Sequence, residues 1–264
     1  MKRIWIVCAV IFAATAPVLK AQHSLSGMSF NGSTGLYSIP SGRTGWEDSS
    51  SFAIDLGYHA IITEGKATHI PKMSFSLFRW VELSAAMDFQ PKEHNQNQTD
   101  FIGGLKLQLP ISRTSLALGG NIQALNFSNK NINYIAGQVY IAVTFAGQFF
   151  DMPAETTVVL GKTFIEDQSD SNVDFGMGFE LVLFPSVFEG FVRWITDFAN
   201  FSYSVEPFSA NAWYRGVLNT GIRLDLSAIP PLSRFKFNVD VLMTDAFDDT
   251  RAFSAGVVFG IPIF

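Results

Sequence analysis

Apolar and polar residues alternate with a period of two over most of this chain, and this alternation limits its fold more than any other feature. Residues 52–59, FAIDLGYH, are one example. A period of two places successive side chains on opposite faces of a β-strand, whereas an amphipathic helix repeats at 3.6 residues. We therefore predict an all-β chain with twelve strands. The segments are 52–59, 70–77, 81–89, 101–109, 116–123, 135–145, 155–165, 173–183, 187–205, 218–226, 235–243 and 252–264.

The connections between these segments alternate in length. The shorter ones are residues 78–80, 110–113, 147–154, 184–186 and 227–233, and the longer, more polar ones are 90–99, 126–132, 166–171, 206–210 and 245–251. Successive connections of an antiparallel meander lie at opposite ends, so short turns share one end and long loops the other. This asymmetry is typical of transmembrane barrels. The first and last strands then both have their free ends on the short-turn side.

Two surroundings for the apolar face are compatible with the alternation alone. A soluble lipocalin-like barrel or a sandwich turns that face inward, and a transmembrane barrel turns it toward lipid. Charged residues make up 16% of the chain and hydrophobic residues 48%, against about 25% charged in an ordinary soluble domain. Most predicted strands reach the roughly 9–11 residues that cross a bilayer. Aromatic residues stand near strand ends, as in the interfacial girdles of such barrels: Phe52, Tyr58, Phe89, Phe145, Phe164, Trp194, Trp213 and Phe264.

These observations favour an antiparallel up-and-down transmembrane β-barrel of twelve strands, in contact with the lipid of a bacterial outer membrane. If residues 22–50 also pair with the sheet, fourteen strands become possible. The formal charge of -5 and the pI near 5.3 argue against nucleic acid as a partner.

The amino-terminal residues resemble a secretory leader. Lys2 and Arg3 precede the apolar run of residues 4–16, which is shorter than the roughly 20 residues of a spanning helix. An uncleaved anchor is the alternative. We expect cleavage after Ala21 rather than after Ala16, because Pro17 would follow the second site. The domains are then a signal peptide at 1–21, an amino-terminal segment at 22–50 and a barrel at 51–264. The one cysteine, Cys8, lies in the leader.

The last segment, RAFSAGVVFGIPIF, ends on Phe264 after an alternating strand. It resembles the carboxyl-terminal signal of bacterial outer-membrane barrels, which their assembly machinery recognises, and this resemblance implies that machinery as a partner. Two features depart from the common form. The alternating phase that ends at Ile263 is out of step with Phe264, and Pro262 cannot donate a ladder hydrogen bond. We therefore expect the final pair to bend away from the sheet.

The segment GSTGLYSIPSGRTG, residues 32–45, is the other distinctive stretch. It is similar to the opening of YjbH-type outer-membrane proteins, in which glycines, Gly-Leu, an apolar residue, proline, a small residue and arginine precede a barrel. The matching positions are Gly32, Gly35, Leu36, Ile39, Pro40, Ser41 and Arg43. The resemblance implies an association with exopolysaccharide production or export. From the residues themselves, this segment is either one more strand or a periplasmic hatch.

No catalytic or metal-binding pattern stands out. The four histidines show no ligand spacing, and neither Gly-x-Ser-x-Gly nor a Walker-type loop occurs. Outer-membrane phospholipases are also twelve-stranded, but nothing in the sequence marks a serine as a nucleophile. Residues 245–249 hold three aspartates, which either bind calcium or belong to a solvated loop. We therefore predict a protein that is not an enzyme and has no metal or cofactor.

The polar phase of the strands supplies the candidate site, the lining of the barrel lumen. The predicted lining residues are Asp55, Glu82, Asp88, Lys106, Asp174, Glu180, Arg193, Arg223, Asp225, Lys236 and Asp240, with Glu189 as a further acidic position. Because acids outnumber bases, an open lumen would favour cations or neutral solutes. Cross-strand pairs of Lys106 with Glu82 or Asp88, and of Arg223 with Asp240, could instead fill it.

Three functions therefore remain open at this point. The first is a passive pore for small solutes. The second is a structural or surface-interaction barrel with a filled lumen, and the third is an exopolysaccharide-associated barrel.

Overall fold

The computed structural model describes residues 27–46, 52–63, 66–91, 97–109, 114–125, 134–165, 173–200 and 216–263. Twelve strands form one closed antiparallel barrel in chain order, with the first strand paired to the last. They are β1 (Phe52–Thr63), β2 (Lys66–Leu77), β3 (Val81–Pro91), β4 (Asn97–Leu109), β5 (Ser115–Leu125), β6 (Tyr134–Phe149), β7 (Met152–Ile165), β8 (Asp174–Val182), β9 (Val192–Ala199), β10 (Val217–Asp225), β11 (Lys236–Thr244) and β12 (Ala252–Pro262). The twelve-stranded barrel is confirmed, and the fourteen-stranded alternative does not occur.

Several predicted boundaries were wrong. The segment predicted at 187–205 contains the shorter strand β9, preceded by a one-turn helix, α1 (Pro185–Phe188). Residues 60–63 and 66–69, which the alternation left unassigned, extend β1 and β2, so these strands are joined by residues 64–65. Short 3-10 turns at Leu226–Ala228 and Pro230–Leu232 lie between β10 and β11. Pro230 and Pro231, in the second of these turns, have no amide hydrogen to donate to a sheet.

The apolar phase of the strands faces outward. Leu56 is 52% exposed and Val241 is 56% exposed, whereas Asp55 and Asp240, one position away on the same strands, are buried. A soluble barrel would reverse this arrangement, because exposing contiguous apolar surface to water is unfavourable. The soluble alternative is therefore wrong, and the outer surface is that of a barrel in lipid. No helix among the described residues is both long and apolar enough to cross a membrane.

The barrel has two distinct ends. We call the end where β1 begins and β12 finishes the turn end, and the opposite end the loop end. At the turn end, the β6–β7 connection is the pair Phe150 and Asp151, both with positive φ (48° and 63°). A two-residue hairpin of this hand matches the twist of the sheet. The loop end carries longer connections, including 126–133 and 200–216, although 64–65 is short.

Exposed aromatic residues gather at the turn end. Phe78, Trp80, Phe150, Phe184 and Phe188 are all exposed there. This distribution suits the level where lipid meets water. Of the predicted girdle residues, Phe52, Tyr58, Phe89, Phe164 and Trp194 are exposed, and Phe145 is half-buried. Trp213 and Phe264 lie outside the described residues.

The last strand stays in the sheet to its end. Pro262 is paired in register with Ala53, and the Ile263 amide donates to the Phe52 carbonyl at 2.8 Å. The predicted bend of this pair is therefore wrong as far as Ile263. The proline is accommodated because the next residue supplies the hydrogen bond.

Residues 27–46 lie inside the barrel, and we call them the plug segment. They pair with none of the twelve strands. Their isolated bridges, Met28 with Thr34 and Gly35 with Pro40, fold the segment on itself. The Phe30 amide donates to the Tyr37 carbonyl at 3.0 Å. All but two of these twenty residues are buried, in contrast with the exposed tail typical of chain ends.

Candidate functional site: the occupied lumen

The structure places the predicted lining residues on the inner face of the barrel. All eleven are buried and lie within strands. Glu189 is an exception to the sequence analysis: it follows α1 in the β8–β9 connection, has positive φ and is exposed. Its assignment to the lumen was wrong because β9 begins three residues later.

Five of the lining residues form one chain of ion pairs across strands β8 to β11. Arg223 binds Asp240 through Nε at 2.8 Å and Glu180 through Nη1 at 2.7 Å. Arg193 binds the other oxygen of Glu180 at 2.6 Å and Asp225 at 2.5 Å. We call this set the ion-pair ladder. Because acids and bases alternate along it, every buried charge has an opposite neighbour, which such burial requires.

A second cluster joins β3 and β4 to the plug segment. Lys106 lies 2.9 Å from Glu82, so the pair expected from the sequence is formed. Glu82 also accepts hydrogen bonds from the Thr34 amide at 2.8 Å and the Gly45 amide at 3.2 Å. Lys106 donates to the Thr34 carbonyl at 2.9 Å. The wall pair thus binds both the donor and the acceptor of one plug residue.

Asp197 on β9 holds the plug segment on the opposite side. One carboxylate oxygen accepts from the amides of Tyr37 at 2.8 Å and Ser38 at 2.7 Å. The other accepts from the Ser38 hydroxyl at 2.9 Å and the Asn219 amide group at 2.8 Å. Asp197 was not predicted as a lining residue, because the predicted segment 187–205 was longer than the strand it contains. Asp197 follows Arg193 by four residues, an even spacing that places both side chains on the same face of a strand and could have indicated its inward position.

Lys72 on β2 is the second residue that the sequence analysis missed. Its ammonium donates to the carbonyls of Met28 at 2.9 Å and Ser29 at 3.0 Å. It also lies 5.4 Å from the centroid of the Phe30 ring, a cation–π distance. Lys72, Ser74 and Ser76 alternate along β2 and are all buried. This run of polar residues at intervals of two could have indicated that Lys72 faces the lumen.

Further wall residues contact the last third of the plug segment, residues 42–46. Asp55 on β1 accepts from the Trp46 indole at 2.8 Å and pairs with Lys236 at 2.7 Å. The remaining contacts are Gly42 with Thr144 on β6, Thr44 with Gln108 on β4, and Arg43 with Glu155 on β7. In total, seven of the twelve strands bind this segment through polar side chains.

An apolar layer surrounds the plug aromatics. Phe30 and Tyr37 meet edge to face, with ring centroids 4.1 Å apart. They belong to one buried cluster with inward-facing residues of seven strands, which we call the aliphatic belt: Ile61, Ile70, Ala86, Ile102, Ile195, Leu242 and Ala252. Burial raises the pKa of the Tyr37 phenol well above its ordinary value, so this group stays neutral.

Two glycines on β8 leave room for Leu36 and Ile39, the apolar residues of the plug motif. A Cβ at Gly178 would lie 2.6 Å from the Leu36 side chain, and one at Gly176 would lie 2.6 Å from that of Ile39. At Gly178 the backbone carbonyl of Thr196, 2.4 Å from that Cβ, also leaves no room for a side chain, and at Gly176 a side chain would require Ile39 to move. The wall of β8 is therefore recessed where the plug segment packs against it.

The last two predicted lining residues lie nearer the loop end. Asp88 accepts from the Gln90 amide group, and Asp174 accepts from the Thr163 hydroxyl, both at 2.5 Å. No cluster of three or more histidine, cysteine, aspartate or glutamate side chains suited to a metal is found in the described ranges.

Comparisons with known proteins give no match to a family model or to a curated protein. Solved structures do match. One is a KdgM porin in complex with disordered oligogalacturonate, at 8% identity and a TM-score of 0.50, covering 80% of this chain and 99% of that one. LpxR from Salmonella typhimurium matches at 8% identity and a TM-score of 0.46, covering 80% and 100%.

Omp33 of Acinetobacter baumannii matches at 10% identity and a TM-score of 0.44, covering 81% of this chain and 98% of that one. At these identities the likeness concerns the fold. With its closed twelve-stranded sheet and its apolar exterior, the chain therefore has the fold of the bacterial outer-membrane β-barrels.

Proposed function

We propose that this protein is a channel for small solutes in the bacterial outer membrane, closed by its plug segment. The observation that carries the proposal is how that segment is held. Polar side chains of seven strands bind it through hydrogen bonds and ion pairs. Its last described residue, Trp46, contacts Asp55 at the turn end, and Gly27 lies against the Arg223 guanidinium near that same end. A segment that enters and leaves at one end can withdraw without threading through the barrel.

The lining supports a cationic or neutral solute. With Lys72, Asp197 and Glu155 added, the wall groups named above comprise nine acids and five bases. Lining charges select permeating solutes by their sign. The solute of the KdgM porin, an oligogalacturonate, is an acidic sugar chain. We do not propose it for this chain, because carboxylates outnumber bases here.

Single-channel recording in planar bilayers tests this function. We expect discrete openings from the full chain, and more frequent ones when the plug is weakened by Ser38→Ala, which removes one bond to Asp197. Ser233→Ala is the matched control, because the Ser233 hydroxyl donates to the Pro230 carbonyl in the β10–β11 connection. A full chain that never opens, with both variants equally silent at high protein load, would contradict the channel.

A second candidate is a structural or surface-interaction barrel whose lumen stays filled. The ion-pair ladder favours this candidate, because its charges are buried and paired with one another along one side of the lumen. The same recordings separate the two functions, because a permanently filled barrel shows no openings.

A third candidate follows from the resemblance to YjbH-type proteins. The residues that carry this resemblance, including Leu36, Ile39 and Arg43, all belong to the plug segment and are buried. An exopolysaccharide-associated role predicts a change in surface glycan when the gene is deleted. Unchanged glycan in the deletion strain would exclude it.

We also propose export and assembly steps that match this location. Residues 1–21 would be removed as a signal peptide, the barrel assembly machinery would recognise the strand ending in Phe264, and the protein would act without catalysis. Amino-terminal sequencing of the purified protein should begin at Gln22. A soluble periplasmic protein without a heat-modifiable gel shift would contradict the proposed location.

A further inference from the structure

The plug segment shows which chemistry the lumen can bind. The charged wall residues contact mostly its main chain. Lys72 and Lys106 donate to three carbonyls, and Glu82 and Asp197 accept from four amides. Main-chain groups are common to every peptide, so these contacts do not depend on the plug's own sequence. The wall thus presents donors and acceptors at the places where an extended peptide needs them.

Side-chain selectivity comes from the aliphatic belt. It buries the rings of Phe30 and Tyr37, with the Lys72 ammonium above the first ring and the His59 ring 5.6 Å from the second. His59 is fully buried, and its Nε2 lies 3.4 Å from a carboxylate oxygen of Asp240. An apolar pocket with a few polar groups directed into it is the usual form of a small-molecule site.

We propose that the solute of this channel is a short peptide containing an aromatic residue, which competes with the plug segment for the same wall groups. The inference rests on the proposed channel function, since the solute reaches these groups only when the plug segment leaves the lumen. The carboxylates bind amide N–H groups or a peptide's amino terminus, and the aliphatic belt takes the aromatic ring. A sugar has hydroxyl groups that the carboxylates can bind, but it has no apolar group that fills the aliphatic belt.

The test uses the full chain carrying Phe30→Ala and Tyr37→Ala, which weakens the tethered plug without changing the wall. The probe is the nonapeptide SFNGSTGLY, the sequence of residues 29–37. The controls are the same peptide with both aromatics replaced by alanine, and maltotriose. Binding is measured by titration calorimetry, and block of openings is measured in bilayers. Heat-modifiable mobility on a gel verifies that the double variant is folded. If the double variant does not fold, the single variant Phe30→Ala is used in its place.

We expect the native nonapeptide to bind at least about tenfold more tightly than its alanine form, because its two aromatic rings leave water for the aliphatic belt. It should also shorten openings at a correspondingly lower concentration. Equal binding of the two peptides, or equal binding of maltotriose, overturns the inference. The two proposals fail separately: calorimetric binding without any openings contradicts the channel, and openings insensitive to the native peptide contradict the peptide solute.

Discussion

Asp197→Asn weakens the binding of the plug segment with little change in the shape of the side chain. One carboxylate oxygen of Asp197 accepts from two plug amides, and the other accepts from the Ser38 hydroxyl and from Asn219. An asparagine keeps one acceptor oxygen and replaces the other with an NH₂ donor. In one orientation the two plug amides face a donor, and in the other Asn219 faces one.

The magnitude follows from the bonds lost. Hydrogen bonds to a charged group contribute about 1.5–3 kcal/mol each. In the second orientation the two plug amides keep an acceptor, but it is a neutral oxygen instead of a carboxylate, which costs about 1 kcal/mol per bond. The plugged state is therefore weakened by roughly 2 kcal/mol, which shifts the ratio of open to closed channels by about 30-fold. Because the twelve-stranded ladder does not include Asp197's side chain, we expect the barrel itself to stay folded.

Open probability in planar bilayers measures this shift. Asp174→Asn is the matched control, because it is the same change on the inner wall, where Asp174 accepts hydrogen bonds from the wall residues Thr163 and Gln138. We expect the control to open as rarely as the unaltered protein. An open-to-closed ratio that changes by less than threefold in Asp197→Asn would refute the account of how the plug is held.

Three further predictions concern the wall. Arg223→Met leaves the buried Asp240 without its guanidinium partner and Glu180 with that of Arg193 alone, and we expect a loss of about 3–5 kcal/mol in the free energy of unfolding measured with urea in detergent. Val241→Lys places a charge on the outward face, where Val241 is 56% exposed; unfolding from lipid vesicles should show a loss of about 2–4 kcal/mol, and Val241→Leu should show almost none. Gly176→Val puts a side chain into the space of Ile39, whose side chain would lie 2.6 Å from the new Cβ, so openings should become more frequent, whereas Gly137→Val, whose Cβ meets nothing within 4 Å, should leave them unchanged.

Local pattern predicted the elements that local physics controls. Alternation follows directly from the geometry of a strand, so the inward phase of β3, β4, β10 and β11 could be identified from residues a few positions apart. The two nearest-neighbour pairs, Lys106 with Glu82 and Arg223 with Asp240, lie on adjacent strands in direct register. Predictions failed where alternation was weak, as at β9, or where a short helix interrupted it, as before Glu189.

The amino-terminal segment shows the limit of this reasoning. Its glycines, Leu36 and Ile39 formed a visible motif, but the two interpretations of the motif, strand or hatch, differed only in distant contacts. The Tyr37 amide binds Asp197, 160 residues further along the chain. Such a contact exists only after the barrel closes, and no spacing in the sequence indicates it.

The sequence by itself determined the number of strands, their two faces and the sign of the lining, because each depends on side-chain character at intervals of two. Only the tertiary structure decided which face meets lipid, that the plug segment occupies the lumen, and that Lys72 and Asp197 hold it. The physical reason is that closure of the sheet brings β2 and β9 to opposite sides of one interior. Lys72 and Asp197 then bind main-chain groups of the plug segment. Every residue has such groups, so no sequence pattern marks the ones that are bound.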